Sequence, residues 1–172
     1  LLVTGGPGAG KTTAALHKAL QYVESGNLKG GQKVLFLSFA RATVARILEA
    51  AKQELPLESR KLLDIDTYHG FAWRLIRSHS YLTNGKTPKL LAPAEVAARF
   101  ADVPQENHLE ELNRCWKEEG EIAFELFPVE ARRILTHCKK LGAIYSRKFP
   151  LIIIDEFQDT SVGQFEMIRA LA

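Results

Sequence analysis

GGPGAGKTT, residues 5–13, sets four glycines and a lysine between an apolar run and a helical pattern. The run before it, Leu1–Thr4, reads as a strand. After it, Lys11–Ser25 reads as a helix, with Ala15, Leu16, Ala19, Leu20 and Val23 at helical spacing and Gly26 as its stop. A strand, a tight glycine turn and a helix start in that order is the opening unit of an α/β fold with a mainly parallel sheet. The turn also has a chemical meaning. Glycines allow positive φ and close approach, so backbone N–H groups can turn toward an anion, and the helix adds its positive dipole end.

The pattern Gly5-x4-Gly10-Lys11-Thr12 matches the Walker A phosphate loop, in the strand-to-helix context that motif requires. In that chemistry Lys11 reaches the β- and γ-phosphates and the Thr12 hydroxyl ligates Mg²⁺. The expected nucleotide-binding set is the whole loop: Gly5, Gly6, Pro7, Gly8, Ala9, Gly10, Lys11, Thr12 and Thr13. The loop alone does not choose among ATPases, GTPases and kinases.

Beyond the loop the α/β alternation continues. Lys33–Phe39 and Leu62–Asp66 read as strands, and Pro150–Ile154 as a further one. Arg41–Glu54 reads as a helix with Val44, Ile47, Leu48 and Ala51 on one face, and another helix runs through Phe71, Leu75 and Ile76. The unbroken LIII of residues 151–154 fits a sheet covered on both faces.

Between about Tyr81 and Lys148 the alternation gives way to helices: one opened by Pro93, one over Leu109–Glu119, and one opened by Pro128 with Gly142 as its expected stop. This helical insertion carries Arg132, Arg133, Lys139, Lys140, Arg147 and Lys148. Such a charge run is more often a solvated face than a nucleic-acid contact.

Composition sets the outer limits. The chain has 172 residues, 46% hydrophobic and 25% charged, which is ordinary for a globular domain. A net charge of +3 permits a polyanionic partner without arguing for one. Cys115 and Cys138 lack the spacing of a zinc site and read as two reduced thiols of a cytoplasmic protein. No apolar run reaches membrane-span length, so no membrane is expected. The chain starts in an apolar run without Met and stops within the helical pattern QFEMIRALA, which reads as a piece of something longer.

The second chemical signal is LIIIDEFQDT, residues 151–160. Ligands of open parallel sheets bind at the carboxyl ends of strands, where the phosphate loop also lies. Asp155 is then the expected Walker B acid, holding Mg²⁺ directly or through water. Glu156 is the expected base for the attacking water, and Gln158 a sensor of the γ-phosphate or of that water. Asp159 and Thr160 are expected to help cap the helix that follows.

With both motifs read, GGPGAGKTT resembles motif I and DEFQDT resembles motif II of the UvrD/Rep-type superfamily 1 helicases. LFLSFARATVA, residues 35–45, is similar to their motif Ia, and IDTYHGFAWRLIR, residues 65–77, to motif Ib. The resemblance implies a RecA-like P-loop domain made of residues 1–80 and 149–172, interrupted by a small 1B-like helical insertion at 81–148. It implies ATP and Mg²⁺ as cofactors and 3′→5′ movement on single-stranded DNA as the activity. Lys11, Asp155, Glu156 and Gln158 would be catalytic, with Thr12 and Asp155 on the metal. Ser38, Phe39, Ala40, Thr67 and His69 would line the DNA path. A second RecA-like domain carrying the arginine fingers would complete the full-length chain, and this piece alone would hydrolyse ATP very slowly or not at all.

Here motif Ia departs from the family's frequent TFTNKAA, with Arg41 at the amide position and Ala42 at the basic one. Two other readings compete: a helicase-like module that binds nucleotide or DNA without turnover, and a superfamily 1 RNA helicase. The DEA-type motif II common in the latter differs from Phe157 and the Gln158-Asp159-Thr160 run found here.

Overall fold

The computed structural model describes residues 4–6 and 9–171. Along the chain, α1 (Lys11–Glu24) leads to β1 (Val34–Ser38), α2 (Arg41–Glu54), the single turn α3 (Leu57–Arg60), β2 (Leu63–Thr67) and α4 (Tyr68–His79). Then come β3 (Lys89–Leu90), α5 (Pro93–Arg99), α6 (His108–Glu119), β4 (Glu121–Ile122), α7 (Phe127–His137) and α8 (Lys139–Lys148). β5 (Leu151–Ile154) and α9 (Val162–Arg169) complete the series. The expected strand at Leu1–Thr4 falls mainly outside the described residues.

The chain divides into two compact units. One comprises the described residues up to Tyr68 together with Ala143–Thr160, and the other His69–Gly142 together with the described residues from Ser161 onward. These boundaries differ from the 81–148 division read from the sequence.

In the first unit a three-stranded sheet has the order β2-β1-β5, parallel throughout. All its strands therefore end at the same edge, where Thr67, Ser38 and Asp155 follow one another across the sheet. The central strand takes the fullest cover: all five residues of β1 are buried, whereas those of β5 and β2 are half-buried. Alternation explains the two faces. Val34 and Phe36 point into a core with Leu16, Ala19, Leu20 and Val23 of α1 and Ile47 of α2, flanked by Leu63, Ile65, Leu151 and Ile153. Leu35 and Leu37, equally buried, face the other way. Truncating Phe36 to alanine would cost about 3–5 kcal/mol.

The second unit is helical apart from the short parallel pair β3–β4, which the sequence reading did not anticipate. Its core is aromatic where α4 meets α7: Trp73 stacks on Phe127 with centroids 5.3 Å apart and planes within 5°.

Gly142 does not stop a helix, contrary to the expectation. The break falls at Cys138, whose extended backbone (φ −104°, ψ 91°) ends α7, and Gly142 lies inside α8. The glycine is required for another reason: a Cβ there would lie 2.7 Å from the Leu135 carbonyl oxygen. Nor do Asp159 and Thr160 cap the last helix. Ser161 does, accepting from Gln164 N–H at 3.3 Å while the Gln164 side chain accepts from Ser161 N–H at 2.9 Å.

The basic run is also less bare than its sequence. Arg132 pairs with Glu166 at 3.7 Å, and Arg133 pairs with Glu130 at 3.3 Å and donates to the Thr83 carbonyl at 2.6 Å. Among the described residues, no helix is long and apolar enough to cross a membrane.

Candidate nucleotide site

α1 starts without any side-chain cap and without an acid in its first turn. Its N-cap, Gly10, sits in the left-handed region at φ 75°, a conformation that costs a residue with a Cβ. The first intrahelical bond runs from Ala14 N–H to the Gly10 carbonyl at 2.9 Å. The N–H groups of Lys11, Thr12 and Thr13 consequently have no partner within the helix and, with the dipole, form an anion-binding end. Lys11 folds back along the loop, its Nζ donating to the carbonyls of Gly5 at 2.9 Å and Gly6 at 3.1 Å. Pro7 and Gly8 lie outside the described residues.

Asp155 arrives from the other end of the sequence. β5 carries it to the carboxyl edge of the sheet, where its N–H donates to the Leu37 carbonyl at 2.9 Å and continues the β1–β5 ladder. Its side chain is buried, and the Thr12 hydroxyl lies 3.1 and 3.2 Å from its two carboxylate oxygens, the hydroxyl donating. Burial pushes the Asp155 carboxyl up from the ordinary carboxylate range. The Thr12 hydrogen bond pulls it down, the Glu156 charge pushes it up again, and Arg46 adds a smaller downward pull.

A hydroxyl and a carboxylate meeting beside an open phosphate loop are a donor set suited to magnesium, which takes one or two carboxylates, substrate phosphates and water rather than an all-protein cage. The described residues contain no cluster of three or more His, Cys, Asp or Glu side chains fit to hold a metal.

Next to Asp155 the backbone turns sharply. Glu156 has φ 53° and ψ 49°, the one non-glycine residue with positive φ among those described. The left-handed turn ends the strand and starts a short 3₁₀ turn over Phe157–Asp159, from which the Gln158 amide donates to the Glu156 carboxylate. Below that turn Thr160 shares a 2.7 Å hydrogen bond with the buried phenol of Tyr68.

The start of α1 and Glu156 border one cleft of about 500 Å³. Ala9, Gly10, Lys11, Thr12 and Thr13 form one side and Glu156 another. Leu16 of α1 and Arg46, Ile47 and Ala50 of α2 complete it. The α2 wall was not read from the sequence. Helical periodicity assigned Val44, Ile47, Leu48 and Ala51 to an inward face, and nothing in that pattern says that Arg46 borders the loop.

The five residues expected on the DNA path are placed differently. Phe39 and Ala40 are exposed where β1 passes into α2, Phe39 at 53%. Ser38, just before them, is wholly buried, and its Oγ finds no hydrogen-bond partner among the described residues. Thr67 is half-buried at the end of β2, opposite Ser38 in the β1–β2 register. His69 belongs to the second unit, edge-on to Phe124 at 5.7 Å and tilted against Phe127 at 6.1 Å. Burial lowers the pKa of His69, with the Glu125 charge opposing.

Comparison with known proteins fits this arrangement. The family model described as AAA domain matches residues 1–172. The chain is 22% identical over 221 residues to the "Probable DNA helicase II homolog" of Mycoplasma pneumoniae, covering 99% of this chain and 31% of that protein. It is 20% identical over 219 residues to "ATP-dependent DNA helicase UvrD1" of Mycobacterium tuberculosis, covering 99% of this chain and 28% of the relative. The chain thus spans about 30% of the length of these curated relatives. The UvrD-type resemblance read from four motifs holds along the whole chain.

Proposed function

This chain belongs to the AAA domain family, and on that premise we propose that it is the nucleotide-binding motor unit of an ATP-driven 3′→5′ DNA helicase and translocase. The observation that carries the reading is the contact of the Thr12 hydroxyl with both Asp155 oxygens. It joins two motifs 143 residues apart, at the spot where phosphate, metal and water would have to meet.

In this reading the N–H groups at the start of α1 and the Lys11 ammonium hold the β- and γ-phosphates of ATP. To do so, Lys11 exchanges the Gly5 and Gly6 carbonyls for phosphate oxygens. Thr12 and Asp155 hold Mg²⁺, which when bound supplies charge neutralisation for the transferring phosphoryl group. Glu156, which lines the same cleft as Lys11, takes the proton from the attacking water. Gln158, hydrogen-bonded to Glu156, is positioned to report nucleotide state through the 3₁₀ turn.

Single-stranded DNA is the proposed track. The exposed ring of Phe39 offers a stacking surface, and Ala40 and Thr67 offer backbone at the strand ends. Ser38, being buried, serves through its main chain, and His69 offers its imidazole. Residues 81–148 are proposed as a 1B-like insertion. A second RecA-like domain in the full-length chain would supply the arginine fingers, so this unit alone hydrolyses ATP slowly or not at all.

ATP hydrolysis by the full-length protein, measured with and without single-stranded DNA, tests the proposal. Stimulation by DNA that disappears in Glu156→Gln supports a motor. Nucleotide binding without stimulated turnover would replace it with a non-catalytic module.

A further inference from the structure

α2 sends Arg46 into the wall of the nucleotide cleft together with Ile47, its neighbour, and Ala50, one turn on. Facing them are Lys11 and Thr12 of the phosphate loop, with Glu156 on the same cleft. Arg99, Arg114, Arg132, Arg133 and Arg169 are each held in an ion pair with a glutamate. Arg46 has no carboxylate partner of that kind among the described residues. Its side chain is exposed, and the residue lines the same cleft as the phosphate loop. A guanidinium without an ion-pair partner, on the same cleft as an anion-binding helix start, offers five donors in a fork that matches phosphate oxygens.

We propose that Arg46 is a phosphate-binding residue of this cleft, donating from α2 to the polyphosphate chain of a nucleoside triphosphate held by the Lys11 loop. The inference rests on the reading of this cleft as a nucleotide site and adds to it a cation from the same unit. Lys11 approaches the anion from the loop and Arg46 from α2, so that the polyphosphate lies between two helices whose positions it can sense. Affinity then depends on phosphate count more steeply than a Walker A loop alone would make it.

The test uses the full-length protein as wild type, Arg46→Ala and Lys11→Ala. Binding of a fluorescent ATP analogue is titrated in the presence of Mg²⁺ and competed with ATP and with inorganic tripolyphosphate. Arg46 is exposed on a helix and alanine is the best helix former, so thermal unfolding of Arg46→Ala should match wild type. The expected result is a weakening of about 10- to 100-fold for both ATP and tripolyphosphate, the range for removing a charge-assisted hydrogen bond. Unchanged competition by ATP overturns the inference. So does a loss for ATP with none for tripolyphosphate, which would put Arg46 on the base or ribose. If wild type and Lys11→Ala bind ATP equally, the nucleotide reading itself fails and this inference with it.

Discussion

Replacing Glu156 by glycine separates the strain at this position from the chemistry proposed for its carboxylate. At φ 53° and ψ 49° the residue occupies the left-handed region, which costs an L-residue with a Cβ about 1–2 kcal/mol. Glycine removes that cost but gives the unfolded chain more freedom, worth about 0.4–1 kcal/mol against folding. The two leave Glu156→Gly about 0.5–1 kcal/mol more stable than Glu156→Ala. Glu156→Ala loses the same hydrogen bond from Gln158 but keeps the strain, so subtracting one variant from the other isolates the backbone effect. Urea denaturation followed by circular dichroism gives the stabilities, and ATP hydrolysis by the full-length protein gives the activities. The glycine variant should be the more stable of the two, and both should be inactive. An alanine variant as stable as the glycine one would refute the idea that this site holds strain. Activity surviving in either would remove Glu156 from the role of base.

Three further outcomes follow from other parts of the fold. Gly142→Ala should destabilise by about 1–3 kcal/mol, because the clash with the Leu135 carbonyl at 2.7 Å outweighs the roughly 1 kcal/mol of helix propensity gained; a more stable variant in denaturation would show that α7 and α8 can move apart freely. Tyr68→Phe keeps the buried ring but removes the 2.7 Å bond to Thr160, and should cost about 0.5–1.5 kcal/mol in the same assay. His69 has a pKa lowered in the fold, so the unfolded chain takes up its proton first as pH falls. Its contribution to stability is intact above the ordinary histidine range and is lost as pH drops from there to the lower native value. Wild type should therefore lose more stability than His69→Phe between pH 8 and pH 5, and equal losses would exclude His69 as the cause.

The sheet and the loop were legible because their signals are local and repetitive. Lys33–Phe39, Leu62–Asp66 and Pro150–Ile154 all became strands within a residue or two at each end, and Arg41–Glu54 became a helix with those bounds. Gly142 misled because a glycine after an apolar helical face has two meanings, a C-terminal stop or a close approach, and only the position of Leu135 distinguishes them. The β3–β4 pair, two residues per strand, is too short for any period to show. At the site, Thr12 and Asp155 were found through motif spacing, whereas Arg46 was not. Its role depends on how α2 is rotated about its axis against α1, which is set by the packing of Leu16, Ile47 and their neighbours.

The strand order has a consequence for how the chain is made. β1 is the middle strand of its sheet, but β5 begins 151 − 38 = 113 residues after β1 ends. At a synthesis rate of about 5–20 residues per second, the ribosome needs roughly 6–23 s to deliver the second neighbour. Throughout that interval VLFLS, the most deeply buried strand of the sheet, has one open edge, available to any other nascent chain in reach. Asp155 is delivered only as that edge closes, so a nascent chain cannot assemble the Thr12–Asp155 pair before its sheet is sealed.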